Sequence, residues 1–220
     1  KLIVAPSRLL PFMLERIDRE TQIQKSGGLG RIIAKINGLL EPRIVQALYQ
    51  ASQAGVQIDL ICRGICALRP GVPGISETIR VRSIIDRFLE HSRIFYFANN
   101  GQPDVYVGSA DWMDRNLIRR VEVVFPIEHP ELKARVIDEI LATSMADNVK
   151  ARELQADGSY RRVSIAAGET PIRSQQRFLD LAAESERRLQ EAQAVPESNP
   201  AAAAAGAGFK LARRIRQKKT

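Results

Sequence analysis

Along residues 1–150, short apolar runs of strand character take turns with segments whose apolar positions recur at helical spacing. "LIVA" (2–5) is a β-type run, and Pro6-Ser7 opens a helix over 8–24, with Pro11 in its first turn where proline is tolerated. "KSGGLG" breaks that helix, and "RIIAKIN" (31–37) follows as a strand. Glu41 and Pro42 open a second helix that Gly55 closes. "VQIDLIC" (56–62) is nearly continuous in apolar residues, as a strand covered on both faces should be. After a Gly/Pro-rich loop, the pattern predicts a short strand at "TIRVR", a helix over "SIIDRFLE" (83–90), and a hairpin from "RIFYFAN" to "VYVGSA". A strand at "RRVEVVFPI" and a helix over 129–147 complete the series.

Strands alternating with helices, with one hairpin among them, predict an α/β fold with a mixed central sheet. Residues 1–165 are expected to form this domain, including a small hairpin turning at Asp157-Gly158. Residues 166–194 read as a polar helical extension, and 195–220 as a disordered Ala/Gly-rich linker with a basic tail.

Charge changes the picture less than its total suggests. The chain carries +8, but residues 1–150 hold 20 Lys and Arg against 17 acids, while the last twelve residues hold six bases and no acid. The basic balance therefore belongs largely to the tail. No apolar run is long enough for a membrane-spanning helix, and "KLIVAPSRLL" does not read as a secretory signal. Starting at Lys1, mid-strand in character, the chain reads as a piece of a longer protein. Cys62 and Cys66 lack a second pair or a nearby histidine, so they read as reduced, mostly buried thiols.

Four places offer chemistry. His91 and Arg93, two residues apart on a strand and so expected on one face, suit phosphoryl chemistry, with imidazole as nucleophile or proton donor and guanidinium as phosphate clamp. The plain alternative is a histidine capping a helix that ends near Glu90, beside a surface arginine. "GSAD" (108–111) can present a hydroxyl and backbone N–H groups, Ser109 among them, to an anion, with Asp111 orienting a neighbour; it also passes for an ordinary turn. Arg63-Gly64 sits where an apolar strand ends, the position at which open α/β sheets bind ligands. Arg115, Arg119 and Arg120 add bases near "GSAD", and Lys35, inside a strand, needs either solvent or an anion. His129 reads as a helix entry, and Trp112 as core or pocket wall.

Taken together, "RGICALRPG", "RFLEHSRI" and "SADWMDRN" resemble the C-terminal catalytic region of bacterial polyphosphate kinases of the phospholipase-D-like type, over the chain to about residue 164. The resemblance implies a phospholipase-D-like α/β/α sandwich, one of two pseudo-symmetric halves that share an active site. It implies transfer of the ATP γ-phosphate to inorganic polyphosphate through a phosphohistidine supplied by the upstream half, so that this chain alone is expected to be inactive. His91 matches the second, assisting histidine, and Arg63 an arginine that contacts nucleotide phosphates. Arg93 stands where phospholipase D enzymes have the lysine of H-x-K, and Asp111 where they have asparagine. Arg93, Ser109, Asp111 and Arg115 are the further expected phosphate-site residues. Mg²⁺ is expected to bridge phosphates, with its ligands mostly outside this chain. The expected partners are ATP or ADP, polyphosphate, the upstream half and further copies in a homo-oligomer, with no specific nucleic acid. The expected location is cytoplasmic, with room for peripheral attachment to a membrane. A phosphodiesterase half and a noncatalytic polyanion-binding module are the competing expectations.

Overall fold

The computed structural model describes residues 1–194. Nine strands form one mixed sheet in the order β1-β7-β6-β5-β2-β3-β4-β8-β9. They are β1 (Ile3–Ala5), β2 (Arg31–Ile36), β3 (Gln57–Cys62), β4 (Ile79–Ile84), β5 (Ile94–Phe97), β6 (Asp104–Gly108), β7 (Glu122–Pro126), β8 (Ala151–Leu154) and β9 (Tyr160–Arg162). The central trio β2, β3 and β4 is parallel, and every other pairing is antiparallel.

Helices α1 (Leu9–Lys25) and α2 (Pro42–Gln53) cover one face. Their buried Leu9, Met13, Ile17, Ile44 and Leu48 pack with Ile32, Leu60, Val81, Phe95 and Trp112 from the sheet side. The other face is covered by a helical run from α3 (Pro130–Ala134) through wide turns at Arg135–Leu141 into α4 (Ala142–Ala146). There Leu141 and Ile137 meet Ile33, Ile61, Ile84 and Ile94. Adjacent residues of β2, Ile32 and Ile33, thus serve opposite layers, as a strand covered on both faces requires. Among the described residues, no helix is long and apolar enough to cross a membrane.

One expectation is corrected. "SIIDRFLE" is not a helix: its first two residues complete β4, where Ser83 and Ile84 pair with Arg152 and Ala151, and residues 85–93 are irregular. Alternating burial from Ile79 to Ser83 favours the strand, and tertiary bonds hold the irregular segment. Phe88 exchanges two backbone bonds, each of 2.8 Å, with the Gln175 side-chain amide. The expected hairpin at 149–165 is present. It continues the main sheet as β8–β9 along the edge of β4.

Residues Lys1–Gln175 form one compact unit. Asp147, 1% exposed, explains part of that reach: one oxygen accepts the N–H groups of Val149, Lys150 and Ala151, and the other accepts both N–H and hydroxyl of Ser174. Arg173 grips Asp86 through two bonds of 2.6 Å and holds that carboxyl below its usual range. A carboxylate whose folded pKa is lowered contributes its stability above the ordinary value and loses it as pH falls through the lowered one. Hydrogen exchange at 172–175 is therefore expected to stay slow down to about pH 4 and to rise only below it. Asp86→Asn should expose the segment already at neutral pH. Equal protection in the two proteins at pH 7 would remove this role from Asp86. Beyond Gln175, α5 (Ser174–Ala194) carries its own Gln176–Asp180 and Arg177–Glu184 bonds. The expected linker and tail, 195–220, lie outside the described residues.

Candidate active site

β2 and β3 run parallel and end in register, Ile36 beside Cys62. The next residue on each, Asn37 and Arg63, emerges at the carboxyl edge of the sheet. Arg63 N–H donates to Ile36 O (3.2 Å) and Gly64 N–H to Asn37 O (3.0 Å), so the two loops leave the sheet bonded to each other. A Cβ at residue 64 would stand 2.6 Å from that Asn37 carbonyl, which leaves glycine as the residue the approach admits. In consequence, Gly64→Ala is expected to push the two loops apart at a cost of about 1–3 kcal/mol in stability. A thermal melt checks this, and an unchanged melting temperature would show that the two loops part freely.

From Arg63 a chain of polar contacts crosses the site. Arg63 Nε donates to Asn37 Oδ1 at 3.0 Å, while Asn37 gives its backbone N–H (2.7 Å) and its Nδ2 (3.2 Å) to Asp111 Oδ1. Asp111, 2% exposed, receives Arg93 on both oxygens: Nε at 3.2 Å and Nη2 at 3.1 Å. The third nitrogen of the Arg93 guanidinium donates to the His91 carbonyl at 2.7 Å and lies 3.5 Å from His91 Nδ1. Four loops, after β2, β3 and β6 and before β5, are joined in this way.

Trp112 explains why Asp111 is fixed. Its ring is fully buried and stacks on Phe95 with centroids 5.3 Å apart. Its backbone N–H donates to Gly38 O, and its carbonyl accepts Leu40 and Glu41, so 110–112 is sewn to the loop carrying Asn37. His91 is anchored from the other side. Glu90, just before it, pairs with buried Lys35 of β2 and accepts Gln175 Nε2 at 2.9 Å. Lys35 has thus found the anion that its place in a strand demanded.

The expected residues divide. Arg63, His91, Arg93 and Asp111 are brought together; Ser109 and Arg115 stand outside their network. The Ser109 hydroxyl donates to Glu122 and accepts Val123 N–H, an internal brace of β6 to β7. Arg115 is exposed, and Arg119 pairs with Asp114. His91 and Arg93 do not share a strand face, because β5 begins only at Ile94; they meet through the His91 carbonyl instead. Nor does His91 cap a helix, since none ends at Glu90. Asn37 was missed. Its only sequence signal was an Asn-Gly pair closing an apolar strand, which also reads as a turn.

The balance of charge at the site is positive. Asp111 neutralises Arg93, but Arg63 has a neutral amide on Nε, and among the described residues its two terminal nitrogens have no protein partner. Next to it, the Cys66 thiol and burial push the Cys62 thiol up, so Cys62 remains a neutral packing group.

The fold of this domain is a phospholipase-D-like α/β one. A phospholipase D family member, Nuc from Salmonella typhimurium, shares the fold at 17% identity and TM-score 0.51, over 70% of this chain and 97% of that one. The family model for polyphosphate kinase C-terminal domain 2 matches residues 2–175, and the chain belongs to that family. It is 52% identical over 179 residues to the polyphosphate kinase of Xylella fastidiosa, covering 81% of this chain and 26% of that protein. It is 55% identical over 178 residues to that of Synechocystis, covering 81% and 24%. The crystal structure of polyphosphate kinase from Porphyromonas gingivalis superposes with TM-score 0.79 at 39% identity, over 84% of this chain and 28% of that one. The chain thus spans about a quarter of the length of these relatives.

Proposed function

We propose that this chain supplies one half of the active site of an ATP:polyphosphate phosphotransferase, and that it is inactive without the remaining polypeptide. One observation carries the reading: Arg63 is pinned at Nε by Asn37 while its terminal nitrogens point no bond at the protein. A guanidinium held on one edge and open on the other is a preformed receptor for a phosphate oxygen. The task is then to neutralise two polyanions during phosphoryl transfer, where positioning and electrostatics do most of the work. Arg63 holds nucleotide phosphates. His91, exposed and oriented through Arg93, donates a proton or positive charge to an oxygen of the attacking or leaving phosphate. Arg93, clamped by Asp111, keeps His91 in place and adds positive potential.

Magnesium comes with the phosphates in this reading. Asp111 is already occupied by Arg93 and Asn37. The magnesium ligands are assigned to the phosphates and to residues outside this chain. A cytoplasmic location and assembly into homo-oligomers belong to the same proposal.

The test is calorimetric titration of the full-length protein with Mg-ATP beside its Arg63→Ala variant at one ionic strength. Loss of at least tenfold in affinity, about 1.4 kcal/mol, is expected. Equal binding would take the nucleotide subsite away from Arg63. Hydrolysis of a phosphodiester without ATP would replace the kinase reading with a phosphodiesterase one.

A further inference from the structure

The sheet carries a second cluster of bases beside Arg63. Ser83, the last polar residue of β4, donates its hydroxyl to the Arg63 carbonyl at 3.1 Å. In the ladder Ser83 stands opposite Arg152 of β8, and Arg152 opposite Arg162 of β9. Side chains alternate along a strand, so faces can be read from the core residues. Val81 and Leu154 lie in the core under α1 and α2, so Ser83 and Arg152 point to that side, and Arg162 follows by register. Glu153, Arg82 and Arg161 take the opposite face, where Arg82 bonds Glu153 at 3.2 Å. One row, from the Arg63 backbone through Ser83 to Arg152 and Arg162, therefore crosses two strand spacings, about 10 Å.

This row is unusual in its charges. Like charges directly opposite on neighbouring strands repel, and such pairs are ordinarily destabilising. Arg152 and Arg162 are exposed, and among the described residues neither has a carboxylate partner; Arg162 only donates to the Val149 carbonyl. The Glu153 carboxylate that would relieve them sits on the other face with Arg82. Tyr160, two residues before Arg162, is on its face. Arg69, on the loop that carries Arg63, donates Nη1 to the Ala156 carbonyl in the turn between β8 and β9 at 3.5 Å, so the row lies against that loop. An extended anion laid along it would relieve the repulsion and remain continuous with the phosphate site.

We propose that Arg152 and Arg162 form a binding track for the inorganic polyphosphate chain, leading it away from Arg63 across the outer strands. The inference rests on the phosphotransferase reading above and adds the path of the polymer. A track of charge without a stacking platform suits a chain that is phosphate throughout. Nucleic acid would call for several aromatic faces, whereas this row offers Tyr160 alone.

Kinetics of the full-length enzyme with short and long polyphosphate decide the matter. The double substitution Arg152→Gln, Arg162→Gln should raise KM for long chains about tenfold. It should move KM for chains of a few phosphates much less, and reduce the salt dependence of long-chain binding by about 1 to 2 in log–log slope. Arg161→Gln removes the same charge from the opposite face and should leave long-chain KM where it was. The track is overturned if the double variant keeps its long-chain KM, or if Arg161→Gln raises it as much. It is overturned as well if the double variant weakens binding of a single-stranded RNA but not of polyphosphate. Arg63→Ala separates the two proposals. If it loses nucleotide while the double variant keeps its long-chain KM, the phosphotransferase reading stands and the track falls. If it binds nucleotide unchanged, the reading under the track falls first.

Discussion

On the phosphotransferase proposal, His91→Ala in the full-length protein is expected to lower kcat by about 10²–10⁴-fold, the range for loss of a positioned proton donor. Stability should barely change. The side chain is exposed, in an irregular segment, and its contact with Arg93 runs mainly through the backbone carbonyl, which alanine keeps. Activity and folding can therefore be read apart: the melting temperature should match the wild type while turnover collapses. His91→Gln should recover some nucleotide affinity by restoring a hydrogen-bond donor but little turnover, because an amide does not titrate. A fall in kcat of less than tenfold, with melting unchanged, would demote His91 to a bystander and leave Arg63 as the main determinant of the site.

The second large effect is structural. Asp111→Ala should cost about 3–5 kcal/mol, the usual penalty for removing one partner of a buried ion pair, and lower the melting temperature by on the order of 10 °C. Arg93 would lose both its carboxylate bonds, and Asn37 would lose the acceptor for its backbone and side-chain N–H groups. Replacing both members of the pair, Asp111→Leu with Arg93→Met, should recover much of the stability, since no charge is then left buried alone. It should not recover nucleotide binding, because Asn37 and hence Arg63 stay loose. If the double variant binds Mg-ATP as the wild type does, Asp111 serves only the fold and the polar chain does not position Arg63.

The two substitutions also mark where sequence reasoning ran out. His91 and Arg63 stood out as candidates because they lie beside an aromatic strand and beside a glycine at a strand end, and only the family resemblance gave them roles. Their grouping was not legible, because four loops that meet through Asn37 and Asp111 are separated by as many as 74 positions. The partner of Ser109 was hidden for the same reason. A Gly-Ser turn looks like an anion cradle until Glu122, thirteen residues on, takes its hydroxyl. "SIIDRFLE" misled through local pattern: its apolar spacing fits a helix, but pairing with β8 and the grip of Gln175 on Phe88 come from far along the chain.

By itself, the sequence determined the alternation of strands and helices, the mixed α/β class, and which residues carried usable charge. Those properties rest on apolar period and turn residues within a few positions of one another. The tertiary structure alone decided that the 149–165 hairpin extends the main sheet, that Lys35 neutralises Glu90, and that Asn37 ties Arg63 to Asp111. It also decided that Arg152 faces Arg162 beside the site while Arg161 faces away. The reason is that strand register and loop convergence are fixed by burial across the whole sheet. A shift of one residue in that register would turn every side chain of the strand to the other face.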